Sequence, residues 1–277
     1  MNVRLLAAAA LLLAAACLGA QNLVHVTDAQ ELVQAIGSDR TVILAPGDYL
    51  LSEVAQISNP AVSWKQDRSG GPRLVIRKVS NLTLRAEQAS ATLQISSRSA
   101  CTLAFDDCRN LALENLTILH PQASIGLSSK ALRFDACEGV RVAGCDISGG
   151  GALGIYAQGC IGILVRASII RNCASGAFWA SEAQDLRLEL TTLTGNECSP
   201  LLSFSDCRSV VLDSCRIEKN AGDWVLLFVE GAPGQVSLPR TEITRNLAES
   251  LLLEGSPLDS EEGYGEPEMQ PEQAPED

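Results

Sequence analysis

The sequence is poor in aromatic residues, in histidine and in methionine. Of its 277 residues only 4% are Phe, Trp or Tyr, and there are two His and two Met, while 46% are apolar. A core must therefore be built mostly from aliphatic and small side chains. The scarcity of histidine and the absence of a Cys-x-x-Cys pair argue against a zinc site.

Long hydrophobic runs are missing beyond the first twenty residues. Met1–Ala20 carries one positive charge, then an apolar run from Leu5 to Leu18, then small residues. This pattern predicts a secretory signal peptide over residues 1–20, too short to span a bilayer comfortably. We therefore expect a secreted or periplasmic protein without a transmembrane span.

A lipid anchor is the alternative for the same segment. Cys17 follows Leu13-Ala14-Ala15-Ala16, which resembles the site at which lipoproteins are processed. The usual motif has a large aliphatic residue where this chain has Ala14. Lipidation at Cys17 would make the protein an envelope lipoprotein.

Basic charge is also in short supply. The chain has 21 Lys and Arg against 33 Asp and Glu, a net charge of −12, which argues against a sequence-blind nucleic-acid partner. Eight acidic residues and no basic one lie between Ser256 and Asp277, among Pro, Gln and Gly. Such a segment cannot bury enough apolar surface to fold, so we predict a disordered acidic tail over residues 256–277.

An internal repeat occupies the middle of the chain. Short alternating segments recur every 23 to 29 residues, beginning at Leu74, Leu103, Leu132, Ile155, Phe178, Leu202 and Leu226. Each is followed by a second alternating segment and by a third around one aliphatic residue. Three short strands per repeat predict one turn of a coil, and stacked coils place like residues over like about 4.8 Å apart.

The repeat resembles the right-handed parallel β-helices of the pectin-lyase-like superfamily, over roughly Asn22 to Gly255. The resemblance implies an all-β domain over residues 21–255, a solenoid of about eight coils. Val26–Gly37, with Asp28 as N-cap and Glu31 as its reciprocal partner, is predicted to be a short helix that covers the open N-terminal end.

Two segments interrupt the repeat and are predicted to be loops. Ser52–Pro72 contains Gly70-Gly71-Pro72 and leaves the first coil, and His120–Lys130 accounts for one of the longer repeats. Of the two histidines, we expect His25 to lie in a strand before the helix and His120 to open the second loop. Both are expected to be structural or surface residues.

Two kinds of inward column are predicted at the turns. The first is a ladder of buried amides formed by Asn172, Asn196, Asn220 and Asn246. The second consists of small residues and includes most cysteines, namely Cys108, Cys137, Cys160 and Cys207 in one column and Cys145 and Cys215 in another. We expect these cysteines to be reduced core residues. A disulfide between Cys173 and Cys198 is the alternative, because an exported chain can form disulfides.

The outward side of the first strand of each repeat is where a ligand would bind. Alternation leaves two outward columns, Val75, Ala104, Arg133, Tyr156, Trp179, Ser203 and Leu227 in one and Arg77, Asp106, Asp135, Gln158, Ser181, Ser205 and Val229 in the other. The rings of Tyr156 and Trp179 could stack on sugars, while polar groups bind hydroxyls or carboxylates. The candidate ligand-binding residues are Tyr156, Trp179, Gln158, Arg133 and Asp135.

A simpler explanation exists for the same columns. Any solvated strand needs polar residues on its outer side, and the two aromatic rings could pack under one of the predicted loops. Both interpretations remain open at this point.

Catalysis has less support in the sequence. The resemblance to pectate lyases, which use calcium-binding acids and an arginine base, makes Asp106, Asp135 and Arg133 the catalytic candidates. Asp106 and Asp135 would stack about 5 Å apart and could hold Ca²⁺ or share a proton. The Trp-Ile-Asp-His segment of pectate lyases and the Gly-His-Gly and Arg-Ile-Lys motifs of polygalacturonases are missing, and Asp106-Asp107 is the only trace of the polygalacturonase motifs.

Two main hypotheses follow. The first is an exported β-helix that binds polysaccharide or another envelope glycan without cleaving it and needs no cofactor. The alternative is a polysaccharide lyase or glycoside hydrolase working at the candidate acids and arginine, with Ca²⁺ as its cofactor in the lyase case. A third hypothesis, maturation of a copper enzyme, is disfavoured by the scarcity of His and Met.

Overall fold

The computed structural model describes residues 22–66, 72–88, 91–121, 129–150, 152–197, 200–222, 225–231, 236–248 and 250–255. The predicted signal peptide with Cys17, the predicted tail over 256–277 and Cys198 lie outside the described residues. The signal, the lipidation site and the Cys173–Cys198 pair therefore stay predictions. No helix in the described ranges is long and apolar enough to cross a membrane.

A strand and a short helix open the described chain, β1 (Asn22–Val26) and α1 (Ala29–Ala35). As predicted, Asp28 caps the helix, and its carboxylate accepts a hydrogen bond from the backbone N of Glu31 at 2.8 Å. The carboxylate of Glu31 returns to the backbone N of Thr27 at 2.8 Å, one residue earlier than a standard capping box. The apolar side of α1 is buried in the core at the N-terminal end of the coil.

Three sheets wind around one core, with strands numbered in chain order. In spatial order, sheet 1 continues from β1 with β2 (Arg40–Leu44), β6 (Ser80–Ala86), β9 (Arg109–Glu114), β12 (Glu138–Ala143), β15 (Ile161–Arg166), β18 (Gln184–Glu189), β21 (Arg208–Asp213) and β24 (Val236–Ser237). Sheet 2 consists of β3 (Gly47–Leu50), β7 (Ala91–Gln94), β10 (Thr117–Leu119), β13 (Asp146–Ser148), β16 (Ile169–Arg171), β19 (Thr192–Thr194), β22 (Arg216–Glu218) and β25 (Glu242–Thr244).

Sheet 3 carries the first strand of each repeat. It consists of β4 (Val62–Gln66), β5 (Pro72–Arg77), β8 (Leu103–Asp106), β11 (Lys130–Asp135), β14 (Leu153–Gln158), β17 (Phe178–Ser181), β20 (Leu202–Ser205), β23 (Val225–Glu230) and β26 (Ser250–Gly255). Its pairs are parallel except β4 with β5, which is antiparallel. These parallel sheets confirm the predicted β-helix.

Like residues stack on like along the core. The ring of Phe105 lies 5.3 Å from that of Phe134 one coil later and is nearly parallel to it. The equivalent inward positions of the other coils are filled by buried residues, namely Ile76, Ala157, Ala180, Phe204 and Val229. Because every coil buries the same side of its strands, the period-2 pattern alone decides which side chains form the core.

A two-residue corner joins sheet 3 to sheet 1 in successive coils. Its first residue has a positive φ near 50°, as in Lys78, Asp107, Ala136, Glu182 and Asp206. Its second residue turns inward and is buried, as in Val79, Cys108, Cys137, Cys160, Ala183 and Cys207. The predicted small-residue column is therefore confirmed. The eight described cysteines are buried free thiols.

The amide ladder has three rungs. The side-chain N of Asn196 donates to the side-chain O of Asn220 at 2.8 Å, and Asn220 donates to Asn246 in the same way at 2.9 Å. The prediction was wrong for Asn172, because it lies two residues after Ile170, whereas Asn196 lies three residues after Leu193, the partner of Ile170. Asn172 is the corner residue with φ 55°, and Cys173 occupies the ladder position, its backbone N donating to Asn196 at 2.9 Å.

The last predicted outward residues are also corrected. Ser203 pairs with Phe228 and Ser205 with Glu230, so Leu227 and Val229 point into the core, where they are buried. An unbroken apolar run, Leu226-Leu227-Phe228-Val229, contains no alternation and cannot fix the phase of its own strand. The neighbouring strand fixes it through pairing.

The segment predicted as the first loop contains regular structure. It begins with a 3₁₀ helix, Leu51–Val54, and continues into β4. Strand β4 pairs with β5 as a hairpin and becomes the edge of sheet 3. Of the second predicted loop, residues 122–128 lie outside the described residues.

The two histidines lie where the sequence placed them. His25 is exposed in β1, and His120 follows β10. His120 is fully buried, with its ring N atoms 2.8 Å from the carbonyl O of Ala100 and 2.5 Å from that of Pro121. Burial lowers its pKa, which suits a structural histidine.

Candidate functional site

A cavity of about 360 Å³ opens on the outer face of sheet 3, towards its N-terminal end. We call it the groove. Its lining residues are Lys65, Arg73, Val75, Ala104, Asp106, Arg133, Asp135, Ala136, Gln158 and Gly159. The size falls within the usual range for ligand sites. Of the predicted site residues, Asp106, Asp135, Arg133 and Gln158 line it.

The floor of the groove is apolar although it lies outside the barrel. Val75 and Ala104, on neighbouring strands, form a small separate cluster with Cys101 and are almost completely buried. Burial raises the pKa of Cys101 to about 12, against the positive charges of Lys130, Arg73 and Arg133 around it. The neutral thiol of Cys101 therefore lies beneath the positively charged side chains at the edge of the groove, which we call its rim.

The hairpin adds two cations to the rim. Lys65 of β4 lies directly opposite Arg73 of β5 in the antiparallel register. Two like charges in opposed positions are unfavourable by themselves.

The strongest polar contact in the groove lies within one strand. Arg133 donates from Nε to Oδ2 of Asp135 at 2.6 Å. Burial lowers the pKa of Arg133, but the hydrogen bond and charge of Asp135 outweigh burial, so its net pKa is raised. The other oxygen of Asp135, Oδ1, is buried and accepts no hydrogen bond from the described residues.

The second acid is placed as the sequence predicted. Asp106 pairs with Asp135 on the neighbouring strand, so the two carboxylates are side by side on the outer face. Arg77, the next residue in the same row, has its Nε 3.4 Å from Oδ2 of Asp106. Each acid therefore has its own arginine.

Tyr156 lies beside the groove under two cations. Lys130 Nζ and Arg133 Cζ are each 5.3 Å from the centre of its ring, within the range of cation–π attraction. Its hydroxyl donates to the side-chain O of Gln158 at 3.4 Å. Burial is the main reason that the pKa of Lys130 is lowered.

Trp179 pairs with Tyr156 on the next strand but is not among the groove-lining residues. Its indole N–H donates to the carbonyl of Pro200 at 3.1 Å. The indole also packs directly over Gly176, where a Cβ would collide with it. The Nε1 edge of its ring is therefore engaged by the neighbouring turns.

Sequence reasoning missed three cations, Lys65, Arg73 and Lys130. The signal for the first two was present, since Val62–Gln66 alternates and Gly70-Gly71-Pro72 follows, which is typical of a hairpin. Lys130 was missed because it precedes the alternating segment that begins at Leu132.

Calcium fits these residues poorly. Ca²⁺ takes six to eight oxygen ligands. The two predicted ligands, Asp106 and Asp135, each face an arginine, and Lys65 and Arg73 add positive charge. Among the described residues no group of three or more His, Cys, Asp and Glu is placed to hold a metal ion. We therefore derive no step through a metal.

Comparison with known proteins identifies the architecture. Residues 101–254 match the family model described as "Right handed beta helix region". The chain belongs to the right-handed β-helix family. No curated protein sequence matches it significantly.

Solved structures resemble this β-helix in fold. A pectate lyase (PelN) from Paenibacillus sp. 0602 matches with a TM-score of 0.57 and 8% identity, over 83% of this chain and 78% of the lyase. A polygalacturonase from Erwinia carotovora ssp. carotovora matches with a TM-score of 0.42 and 8% identity, over 81% and 70% of the two chains. At such identity the pectate lyase shows a shared fold and nothing finer.

Proposed function

We propose that this β-helix binds a polysaccharide in the groove without cleaving it. The observation that carries the proposal is the Arg133–Asp135 pair, which presents a fixed guanidinium and a carboxylate beside Gln158 and the ring of Tyr156. Sugars need polar groups in fixed positions for their hydroxyls and an apolar surface for their ring faces. The groove offers both.

The charge of the groove favours saccharides that carry carboxylates. Three cations, Lys65, Arg73 and Arg133, line the groove against two acids, and Lys130 and Arg77 adjoin it. Guanidinium groups bind carboxylates through two parallel hydrogen bonds. A similar fold in a protein described as a pectate lyase supports a polysaccharide as the ligand class.

The protonation state of Arg133 favours binding over cleavage. An arginine base must release its proton, whereas the contact with Asp135 holds the pKa of Arg133 above its ordinary value. Asp135 is engaged by the same contact, and Arg77 stands next to Asp106.

A lyase or glycoside hydrolase is the second candidate, and one observation favours it. Asp106 and Asp135 occupy paired positions on adjacent strands. Paired carboxylates at about 5 Å are the arrangement of retaining glycosidases. Shortening of a glycan chain would select this candidate.

One chromatography experiment tests both candidates. The full chain is incubated with neutral and uronate-containing polysaccharides, with calcium and then with chelator, and analysed by size exclusion. We expect co-elution with a uronate polymer of unchanged length. Shortening that disappears in Asp135→Asn would overturn the binding proposal in favour of the enzyme. Neither co-elution nor shortening with any polymer would overturn both.

Export is the second part of the proposal, since a polysaccharide ligand lies outside the cytoplasm. It rests on the charge and hydrophobic pattern of Met1–Ala20. Mass spectrometry of the protein from cell fractions tests it. A mature chain starting at Gln21 supports secretion, a lipid-modified Cys17 supports anchoring, and an uncleaved Met1 in the cytoplasm would overturn export.

A further inference from the structure

We infer that the groove is also a docking surface for the chain's own acidic segment, residues 256–277. The inference rests on the proposed function in one respect, because the same surface would bind the polysaccharide. The segment would then compete with an anionic glycan. Three features of the described residues support it.

The first feature is where the segment begins. Gly255, the last described residue, ends β26 at the edge of the sheet that forms the groove. It pairs with Glu230, and the pairing continues strand by strand through Ser205, Ser181 and Gln158 to Asp135 and Asp106. The acidic segment therefore leaves the fold in the very row of residues that leads into the groove.

The second feature is reach. Five strand spacings separate β26 from β11, which is about 24 Å at about 4.8 Å per spacing. Twenty-two residues span up to about 70 Å when extended. Ser205 and Ser181, which lie between Glu230 and Gln158 in this row, have small side chains that leave room for the segment.

The third feature is complementary charge. The segment carries eight acidic residues and no basic one. The groove region gathers Lys65, Arg73, Arg77, Lys130 and Arg133 against two acids. Arg77 and Arg133 contact the two acids, so by count the groove region holds three more positive than negative charges.

Carbodiimide cross-linking tests the docking directly, because it joins a lysine amine to a carboxylate within contact distance. The sequence has only four lysines, Lys65, Lys78, Lys130 and Lys219. Lys65 lies at the groove, whereas Lys219 is exposed on the other side of the coil, just after β22, and is closer to β26 in the stack. A freely moving segment would therefore reach Lys219 at least as often as Lys65.

The full chain is cross-linked at low salt and the peptides are identified by mass spectrometry. Tethering gives the segment a millimolar effective concentration at both lysines. Because the groove cations would hold it beside Lys65, we expect Lys65 links to outnumber Lys219 links by about tenfold. High salt should abolish this preference for Lys65, and so should the double variant Arg73→Gln, Arg133→Gln. The control variant Arg187→Gln on sheet 1 should leave the preference unchanged. Mixing isotope-labelled and unlabelled chains shows that the links are within one chain.

Two outcomes overturn the inference. One is equal linking of Lys65 and Lys219, and the other is a preference for Lys65 that survives removal of the two groove arginines.

The proposed function is tested separately, by glycan binding to a full chain in which Glu266, Glu268, Glu272 and Glu276 are changed to Gln. Binding about threefold or more tighter than wild type supports competition, and unchanged binding overturns competition. Linking at Lys65 without binding of any glycan would refute the proposed function and leave the docking in place.

Discussion

Arg133 and Asp135 form a contact of 2.6 Å between side chains two residues apart on one strand. The chain repeats this arrangement on sheet 1, where Arg187 Nε lies 3.5 Å from Oε1 of Glu189. The two pairs differ in their surroundings. The side chains of Arg133 and Asp135 are 27% and 29% exposed, against 54% and 23% for Arg187 and Glu189. The first pair lines the groove.

This difference makes Arg187 a matched control for the first prediction. We expect Arg133→Ala to weaken binding of a uronate oligosaccharide by about tenfold or more, because a charged hydrogen bond contributes about 1.5 to 3 kcal/mol. Arg133→Lys should recover little, since an ammonium cannot bind Asp135 and a carboxylate in the same plane. Titration calorimetry measures both variants. An equal loss in Arg187→Ala would show that general charge, and not the groove, holds the ligand.

Tyr156 and Trp179 should behave differently although they are paired neighbours. Tyr156→Ala removes the ring that Lys130 and Arg133 cover, so glycan affinity should fall about tenfold with a small loss of stability. Trp179→Ala should leave affinity nearly unchanged and lower the free energy of unfolding by about 3 kcal/mol, because its indole packs on the next turn. Affinity and urea midpoints are compared for the two variants. A larger affinity loss in the Trp179 variant would mean that the ligand extends beyond the groove.

The amide ladder predicts unequal costs for two asparagines. Asn220→Ala should destabilise the fold by about 2 to 4 kcal/mol, because it leaves buried donors of Asn196 without their acceptor and removes the bond to the carbonyl of Leu193. Asn172→Gly should cost less than about 1 kcal/mol, since glycine tolerates φ 55°. Urea unfolding measures both. Similar costs would contradict the three-rung ladder.

Buried thiols predict a loss of stability at alkaline pH. Burial raises the pKa of Cys145 to about 11 and those of Cys101 and Cys173 to about 12, from an ordinary 9.0. A raised pKa in the fold means that unfolding releases protons above pH 9. The thiol contribution is therefore complete below about pH 9 and declines as the pH rises towards 11 and 12.

Urea midpoints under reducing conditions, taken from pH 8 to pH 11, measure this effect. The triple variant Cys101→Ala, Cys145→Ala, Cys173→Ala should show a flatter decline than wild type, although it starts from a lower stability. Tyr49, whose pKa burial raises to about 12 from 10.0, accounts for part of the remaining slope above pH 10. An unchanged slope in the triple variant would show that these thiols are not the groups responsible.

Repetition made most of the site predictable. A strand that recurs in register places Asp106 beside Asp135 and Tyr156 beside Trp179, and both pairs are present as predicted. The failures occur where the repeat is locally ambiguous. Asn172 lies three residues after Ile169, but the neighbouring Ile170 is the residue in register with Leu193, so Asn172 falls one position before the ladder. Leu227 was turned outward because its strand has no alternation.

The coil, most of its inward columns and its helix cap could be read from the sequence, because each follows from a period of two residues or from a local capping pattern. Which side chains surround the groove depends on tertiary contacts. Lys65 and Arg73 reach the groove through a hairpin, and Trp179 is held by the carbonyl of Pro200, a contact between different turns. Side chains on an outer face are not constrained by the core, so their partners depend on segments that no periodicity places.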